Sequence, residues 1–286
     1  MISRRAFVAV SLAAPALIGS RAAMAEPAPH EWLAALEAKH GGRLGVAILD
    51  TARSAPVAYR GDERFALCST FKNLVAACVL ARVDARLDSL DRRVVYGKGD
   101  LMAYAPVTGK HLGDGMTVGA LCEAAVTVSD NTAANMLLAS FGGPPGLTAY
   151  LRTLGDTVTR LDRFEPDLNE NKPGDPRDTT TPLAMAATLQ KVVVGTALSE
   201  ASRTQLAEWL IDCTTGGKRL RAGVPKDWRA GDKSGSGANN ATNDVAVIWP
   251  PNRAPVVVTA YYTGSPAPAD ERDAVLAEVG KLAASL

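Results

Sequence analysis

Strand-like segments at both ends of the chain, with a long helical stretch between them, restrict its fold more than any other feature. Near the start, residues 43–50 and 55–60 read as two short strands joined by a polar turn. Near the end, residues 227–237, 242–249 and 256–263 read as three more, two of them β-branched and separated by Pro250-Pro251-Asn252-Arg253. From about residue 61 to 211 the pattern is helical or irregular, with Ala-rich runs at 118–129, 132–140, 183–194 and 202–210. Strands from both termini must meet in one sheet, so the middle becomes an insertion. The fold class expected is α/β (α+β), with residues 26–60 and 212–286 forming one domain and residues 61–211 an inserted helical domain. Helices flank the sheet at both ends. Trp32, Leu33, Ala35 and Leu36 have helical spacing before Gly41-Gly42, and Val275, Leu276, Val279, Leu282 and Leu286 form one stripe. A cleft between two such units is a natural ligand site.

The 286 residues are 47% hydrophobic and 21% charged with a net charge of +1, so nucleic acid is not an expected partner and a small ligand is. Ser3-Arg4-Arg5-Ala6-Phe7-Val8 precedes an apolar run to about Ile18 and the small-residue stretch Ala23-Met24-Ala25. Residues 1–25 therefore read as a cleaved export signal, twin-arginine-like, with an ordinary secretory signal as the alternative, and with a mature chain starting near Glu26 and working in the periplasm. The apolar run is shorter than the roughly 20 residues that span a bilayer, so no stable membrane association is expected after cleavage. The four cysteines show no C-x-x-C spacing and the three histidines are scattered, so neither a metal nor a cofactor is expected. Cys78 and Cys122 are the first pair to examine for a disulfide; four buried thiols are the alternative.

Chemistry is concentrated in four short motifs. Ser69-Thr70-Phe71-Lys72 opens an apolar run, and on a helix Ser69 and Lys72 share a face, which brings an ammonium beside a hydroxyl. Ser129-Asp130-Asn131 offers a second hydroxyl for proton relay and an amide that both donates and accepts. Residues 163–178 contain three prolines and a glycine, a long ordered loop in which Glu165 and Asn169 can grip a water and Arg163 can pair with Asp178. Lys233-Ser234-Gly235-Ser236-Gly237 lies on a predicted strand whose glycines permit close approach of an extended anionic substrate. Taken singly, each also has a plain structural explanation as a helix cap, a solvated loop or an edge lysine.

In this order the four motifs strongly resemble those of a class A serine β-lactamase, within the wider group of penicillin-recognising serine enzymes. The resemblance runs over essentially the whole mature chain, including Tyr104-Ala105-Pro106-Val107-Thr108 ahead of Ser129. It implies a β-lactamase/transpeptidase-like fold with a five-stranded antiparallel sheet. It implies hydrolysis of penicillin- or cephalosporin-type antibiotics, and hence antibiotic resistance, through an acyl-enzyme on Ser69. Backbone N–H groups of Ser69 and Ser236 would hold the oxyanion, and the acylation base would be Lys72 or Glu165 acting through water. Ser129 would protonate the lactam nitrogen, Asn131 would hold the acylamide, and Tyr104 would line the entrance. A catalytic water on Glu165 and Asn169 would release the acyl group. Lys233 and Ser234 would bind the substrate carboxylate.

The chain departs from the family pattern at three points. Residues 237–248 hold no arginine, and Arg219, two residues from Arg221, resembles the alternative source used by other members. Cys68 lacks a cysteine opposite it, since Gly237 stands there, so the broad carbapenem range of some members is not implied. Ala76 occupies the place of the helix cysteine that often partners Cys122, and Cys78 lies about 200° further round. The rivals are a D-alanyl-D-alanine peptidase and a β-lactam sensor that stays acylated. A monomer is the default state.

Overall fold

The computed structural model describes residues 28–286, so the export signal expected at 1–25 lies outside the described residues. Helix α1 (Pro29–His40) leads into β1 (Arg43–Asp50) and β2 (Val57–Tyr59). The two-residue β3 (Phe65–Ala66) then delivers the chain to a tight 3-10 turn, Cys68–Thr70, and to α2 (Phe71–Asp84). After β4 (Arg93–Val94) and β5 (Met116–Thr117) come α3 (Val118–Thr127), α4 (Asn131–Ala139) and α5 (Gly143–Thr153). A long loop ends in β6 (Thr179–Thr180), followed by α6 (Pro182–Leu189) and α7 (Glu200–Ile211). The chain closes with β7 (Arg229–Gly237), β8 (Ala241–Trp249), β9 (Val256–Thr263) and α8 (Ala269–Ser285).

Five strands form one antiparallel sheet in the order β2-β1-β9-β8-β7, so the first and last strand groups meet where β1 pairs with β9 along its whole length. The alternation of side chains on β8 and β9 divides the interior into two cores. Val245, Val247, Val257 and Tyr261 face the helices of the middle segment. Ala246, Ile248, Val256, Val258, Ala260 and Tyr262 face α1 and α8 through Leu33, Leu36, Val275, Leu276 and Val279. With both faces covered, β9 is buried throughout, which is why it reads as a continuous apolar run. Helix α2 is central to the other core: residues 71–80 are all buried, including Lys72 and Asn73. An apolar helix enclosed on every side can hold a charge only where partners come to it.

Several expected boundaries shift. The Ser69 motif sits in the 3-10 turn rather than in the helix proper, and the second strand shortens to three residues. The run 183–194 is α6 followed by a π-helical turn, Gln190–Val194. Helix α5 carries a stripe with Leu147 and Leu151 buried one turn apart, but its glycines and prolines mask it in the sequence; Gly142 in the left-handed region and prolines in the first turn start it well. All four cysteines are free and buried, so Cys78 and Cys122 form no disulfide.

Two glycines lock the last helix to the turn Leu220–Gly223. A Cβ on Gly280 would stand 2.1 Å from the Leu220 carbonyl oxygen, and one on Gly223 1.9 Å from that of Ala277. Gly280→Ala gains roughly 1 kcal/mol of intrinsic helix propensity. It loses more to overlap with backbone, and the expected net effect is a destabilisation of about 1–3 kcal/mol. Thermal denaturation should show a lower Tm; an unchanged or higher Tm would mean that the turn yields freely.

Candidate active site

The cleft is assembled where the start of α2, the start of α4, the 163–178 loop and β7 converge. Cys68 adopts φ 44°, a left-handed conformation uncommon for a residue other than glycine, and it turns the chain sharply into Ser69. Thr70 Oγ1 donates to the Leu67 carbonyl at 2.7 Å and Asn73 Nδ2 to the Thr70 carbonyl at 2.6 Å, which fixes the turn from beneath. The strand β7 lies directly against it: a Cβ on Gly235 would be 3.1 Å from the Ser69 amide nitrogen. A side chain there would have to push the two backbones apart by a few tenths of an ångström, so glycine suits this close approach.

Lys72 has no exposed side-chain surface, and four acceptors surround its ammonium. It donates to the Ser129 carbonyl at 2.8 Å, to Ser129 Oγ at 3.2 Å and to Asn131 Oδ1 at 2.6 Å, and it lies 3.0 Å from Glu165 Oε1. Burial pushes its pKa down to about 8, against the pull of the Glu165 carboxylate, and the charge of Lys233 lowers it further. Ser129 reaches its position through a left-handed φ of 62°. Contrary to the expected pairing with Lys72, the Ser69 hydroxyl has Glu165 Oε1 as its hydrogen-bond partner, at 3.4 Å. One carboxylate oxygen therefore faces both the hydroxyl and the ammonium.

Glu165 is held from several sides. Asn169 Nδ2 donates to its Oε2 at 2.5 Å. Its backbone N–H donates to Asn135 Oδ1 and its carbonyl accepts from Asn135 Nδ2, each at 2.9 Å. The base of the loop is tied as expected, with Arg163 Nε donating to Asp178 Oδ2 at 2.6 Å. Asp178 Oδ1 also accepts the N–H groups of residues 162 and 163, and the Asp178 carbonyl accepts the Leu67 N–H at 2.8 Å. The loop is thus fastened to the Ser69 turn itself.

Asp130 caps α4 by accepting the Ala133 N–H and anchors the preceding loop through the N–H groups of Val107 and Thr108 and the Thr108 hydroxyl. Asn131 N–H donates to the Tyr104 carbonyl at 3.0 Å, leaving the Tyr104 ring half exposed at the rim. Lys72 occupies Asn131 Oδ1, so the amide nitrogen is the group this side chain can offer a ligand.

On the facing wall, Lys233 is fully buried, donates to the Ser234 carbonyl at 2.9 Å and has its pKa lowered by that burial. Ser234 Oγ shares a 2.6 Å hydrogen bond with Thr215 Oγ1. The two nearby arginines separate cleanly. Arg219 donates to the Gly235 and Asn243 carbonyls at 2.8 and 2.7 Å and to Ser236 Oγ at 2.9 Å, and its Nε donates to Asp273 Oδ1 at 2.8 Å. Arg221 turns away to Asp232 and the Cys213 carbonyl. The structure thus gathers Ser69, Lys72, Ser129, Asn131, Glu165 and Asn169 on one side and sets β7, with Lys233, Ser234, Ser236 and Arg219, against the Ser69 turn, while Arg163 and Asp178 tie the base of the loop.

Comparison with known proteins agrees with the geometry. A model of the β-lactamase enzyme family matches residues 28–285. The chain belongs to that family. Beta-lactamase L2 of Stenotrophomonas maltophilia is 49% identical over 99% of this chain and 98% of its own. Beta-lactamase Toho-1 of Escherichia coli is 48% identical over 98% and 96%. Among solved structures, an ancestral (GNCA) class A β-lactamase superposes with a TM-score of 0.88 at 66% identity, covering 90% of this chain and 98% of that one. The putative class A β-lactamase PenP from Rhodopseudomonas palustris gives 0.89 at 56% identity over 90% and 99%.

Three residues of this class A β-lactamase site had escaped notice in the sequence. Asn135 has a faint signal, since it lies four residues after Asn131 on the same helix face. Thr215 and Asp273 have none, because their partners lie 19 and 54 residues away.

The buried ammonium provides a direct check on these electrostatics. Glu165→Gln removes the anion that opposes deprotonation, so the Lys72 pKa should fall below its value of about 8. An NMR titration of the lysine side chain in both proteins measures this, and an equal or higher midpoint in the variant would contradict it.

Proposed function

We propose that this enzyme hydrolyses the β-lactam amide of penicillin- and cephalosporin-type antibiotics, conferring resistance, by forming and then hydrolysing an ester on Ser69. The observation that carries the proposal is the contact of Glu165 Oε1 with Ser69 Oγ at 3.4 Å, in a carboxylate held by Lys72 and Asn169. A D-alanyl-D-alanine peptidase or a non-hydrolysing β-lactam sensor needs the nucleophile and its lysine but not this carboxylate.

In the proposed sequence the substrate carboxylate is met by Lys233, the Ser234 hydroxyl and Arg219 with Ser236, while Asn131 Nδ2 donates to the acylamide and Tyr104 borders the entrance. Ser69 Oγ attacks the lactam carbonyl, and its proton passes into the network of Glu165 and Lys72. Either group serves as the base for this step, because both meet at Oε1. The developing oxyanion is received by the N–H groups of Ser69 and Ser236, an arrangement favoured by the close approach of β7 to the Ser69 turn. Ser129, 3.2 Å from Lys72, then delivers a proton to the lactam nitrogen as the C–N bond breaks. Glu165 and Asn169 next hold a water, Glu165 takes its proton, and the resulting hydroxide frees Ser69.

The same proposal includes export through the twin-arginine leader at 1–25, work in the periplasm as a monomer, and division into an α/β domain (26–60 and 212–286) with a helical insertion (61–211). Among the described residues no helix is long and apolar enough to cross a membrane.

The decisive experiment mixes purified protein with a chromogenic cephalosporin and follows colour and protein mass. Wild type should turn over. Glu165→Ala should lose about 10²–10⁴-fold in turnover, as loss of a general base does, and accumulate a covalent adduct. A wild-type protein that stops after one equivalent would favour the sensor or peptidase reading. Arg219→Ala should raise KM more than it lowers kcat, since the guanidinium binds a carboxylate remote from the reacting bond; a purely kcat effect would remove it from that role.

A further inference from the structure

A second cavity, of about 810 Å³, opens at the far end of α2. It lies between the last turns of α2, the end of α5 and the π-helical turn, and its walls include Cys78, Arg82, Leu87, Tyr150, Leu154 and Lys191. Arg82 is ten residues beyond Lys72 on the same helix, roughly 15 Å along its axis, so the cavity is separate from the catalytic cleft.

We infer that this cavity is a binding site for a small organic anion with an apolar body, such as an aryl sulfonate or aryl carboxylate. Its size suits a drug-sized molecule. The two ionisable cations on its wall, Arg82 and Lys191, face no lining carboxylate. Asp84, the acid on the same end of α2, uses both oxygens on the start of α7, accepting from the Ser199 N–H and from the Ser199 and Ser202 hydroxyls, each at 2.7 Å. Lys191 Nζ donates to the Leu154 carbonyl at 2.5 Å and Arg82 Nη2 reaches the Leu87 carbonyl at 3.5 Å, but two other polar groups of the wall are unused. Arg82 Nε and the Tyr150 hydroxyl are both buried without a hydrogen-bond partner. Leaving such groups unpaired is costly, and a sulfonate or carboxylate in the cavity would draw both donors toward it by a small side-chain rotation. Cys78 and the leucines supply an apolar floor. The π-helical turn Gln190–Val194, which carries Lys191, is a geometry found frequently at functional sites.

The test uses the whole protein and two fluorescent probes that share an apolar body, 1-anilinonaphthalene-8-sulfonate and the uncharged N-phenyl-1-naphthylamine. Saturable binding of the sulfonate is expected, at least about tenfold tighter than the neutral probe and weakened by added salt. Arg82→Gln should weaken the sulfonate by about tenfold, with a smaller loss for Tyr150→Phe. Thr153→Trp, on the cavity wall, should block both probes while cephalosporin turnover stays at the wild-type level, which also reports that the variant is folded. Equal affinity for the two probes, or sulfonate binding unchanged in both Arg82→Gln and Thr153→Trp, would overturn the inference. Should Thr153→Trp fail to fold, the probe comparison and Arg82→Gln decide the matter alone.

Discussion

The contact on which the cleft depends is the one between the Lys72 ammonium and the Glu165 carboxylate, two charges with no exposed side-chain surface. Removing ions from water is expensive, and the attraction between them repays that cost only when the remaining donors and acceptors are also satisfied. The neighbouring structure is arranged accordingly. Ser129 takes a left-handed backbone so that its carbonyl and hydroxyl both meet the ammonium, and Asn131 turns its oxygen inward. Asn169 covers the other carboxylate oxygen and Asn135 holds the Glu165 backbone in both directions. The same burial that makes the pair costly also lowers the Lys72 pKa into the range where a proton moves easily near neutral pH.

The opposite wall follows a different logic, in which backbone proximity replaces charge pairing. Gly235 lets β7 press against the Ser69 turn, and Arg219 is fixed by two strand carbonyls, Ser236 and Asp273. Asp273 belongs to α8, and the glycine contact at Gly280 holds that helix against the turn following Arg219. The C-terminal helix thereby reaches the wall formed by β7 and Arg219 although it lies on the outer face of the sheet.

Much of this was legible in advance. The strands Arg43–Asp50 and Val256–Thr263 matched their expected bounds, because a sheet covered on both faces buries an apolar run, Leu44 to Ile48 in the first and the whole of the second. The motif residues were legible because each chemical role admits few side-chain types. Helix α5 was not, since its early glycines and prolines look like loop and only the left-handed Gly142 makes them a helix start. The Ser69–Lys72 contact depends on more than helical spacing. Helical spacing puts two residues on one face, but a third group from the loop came between them.

Sequence alone determined the class of fold, because periodicity is a local property, and the order of its four motifs, through their resemblance to a known family, named the residues that meet in the cleft. Tertiary structure decided which arginine meets Ser236 on β7, that Glu165 rather than Lys72 receives the Ser69 hydroxyl, and that Cys78 and Cys122 remain free thiols. These outcomes depend on distances between segments far apart in the chain, fixed only when the sheet closes from both ends and the loop is drawn over α2.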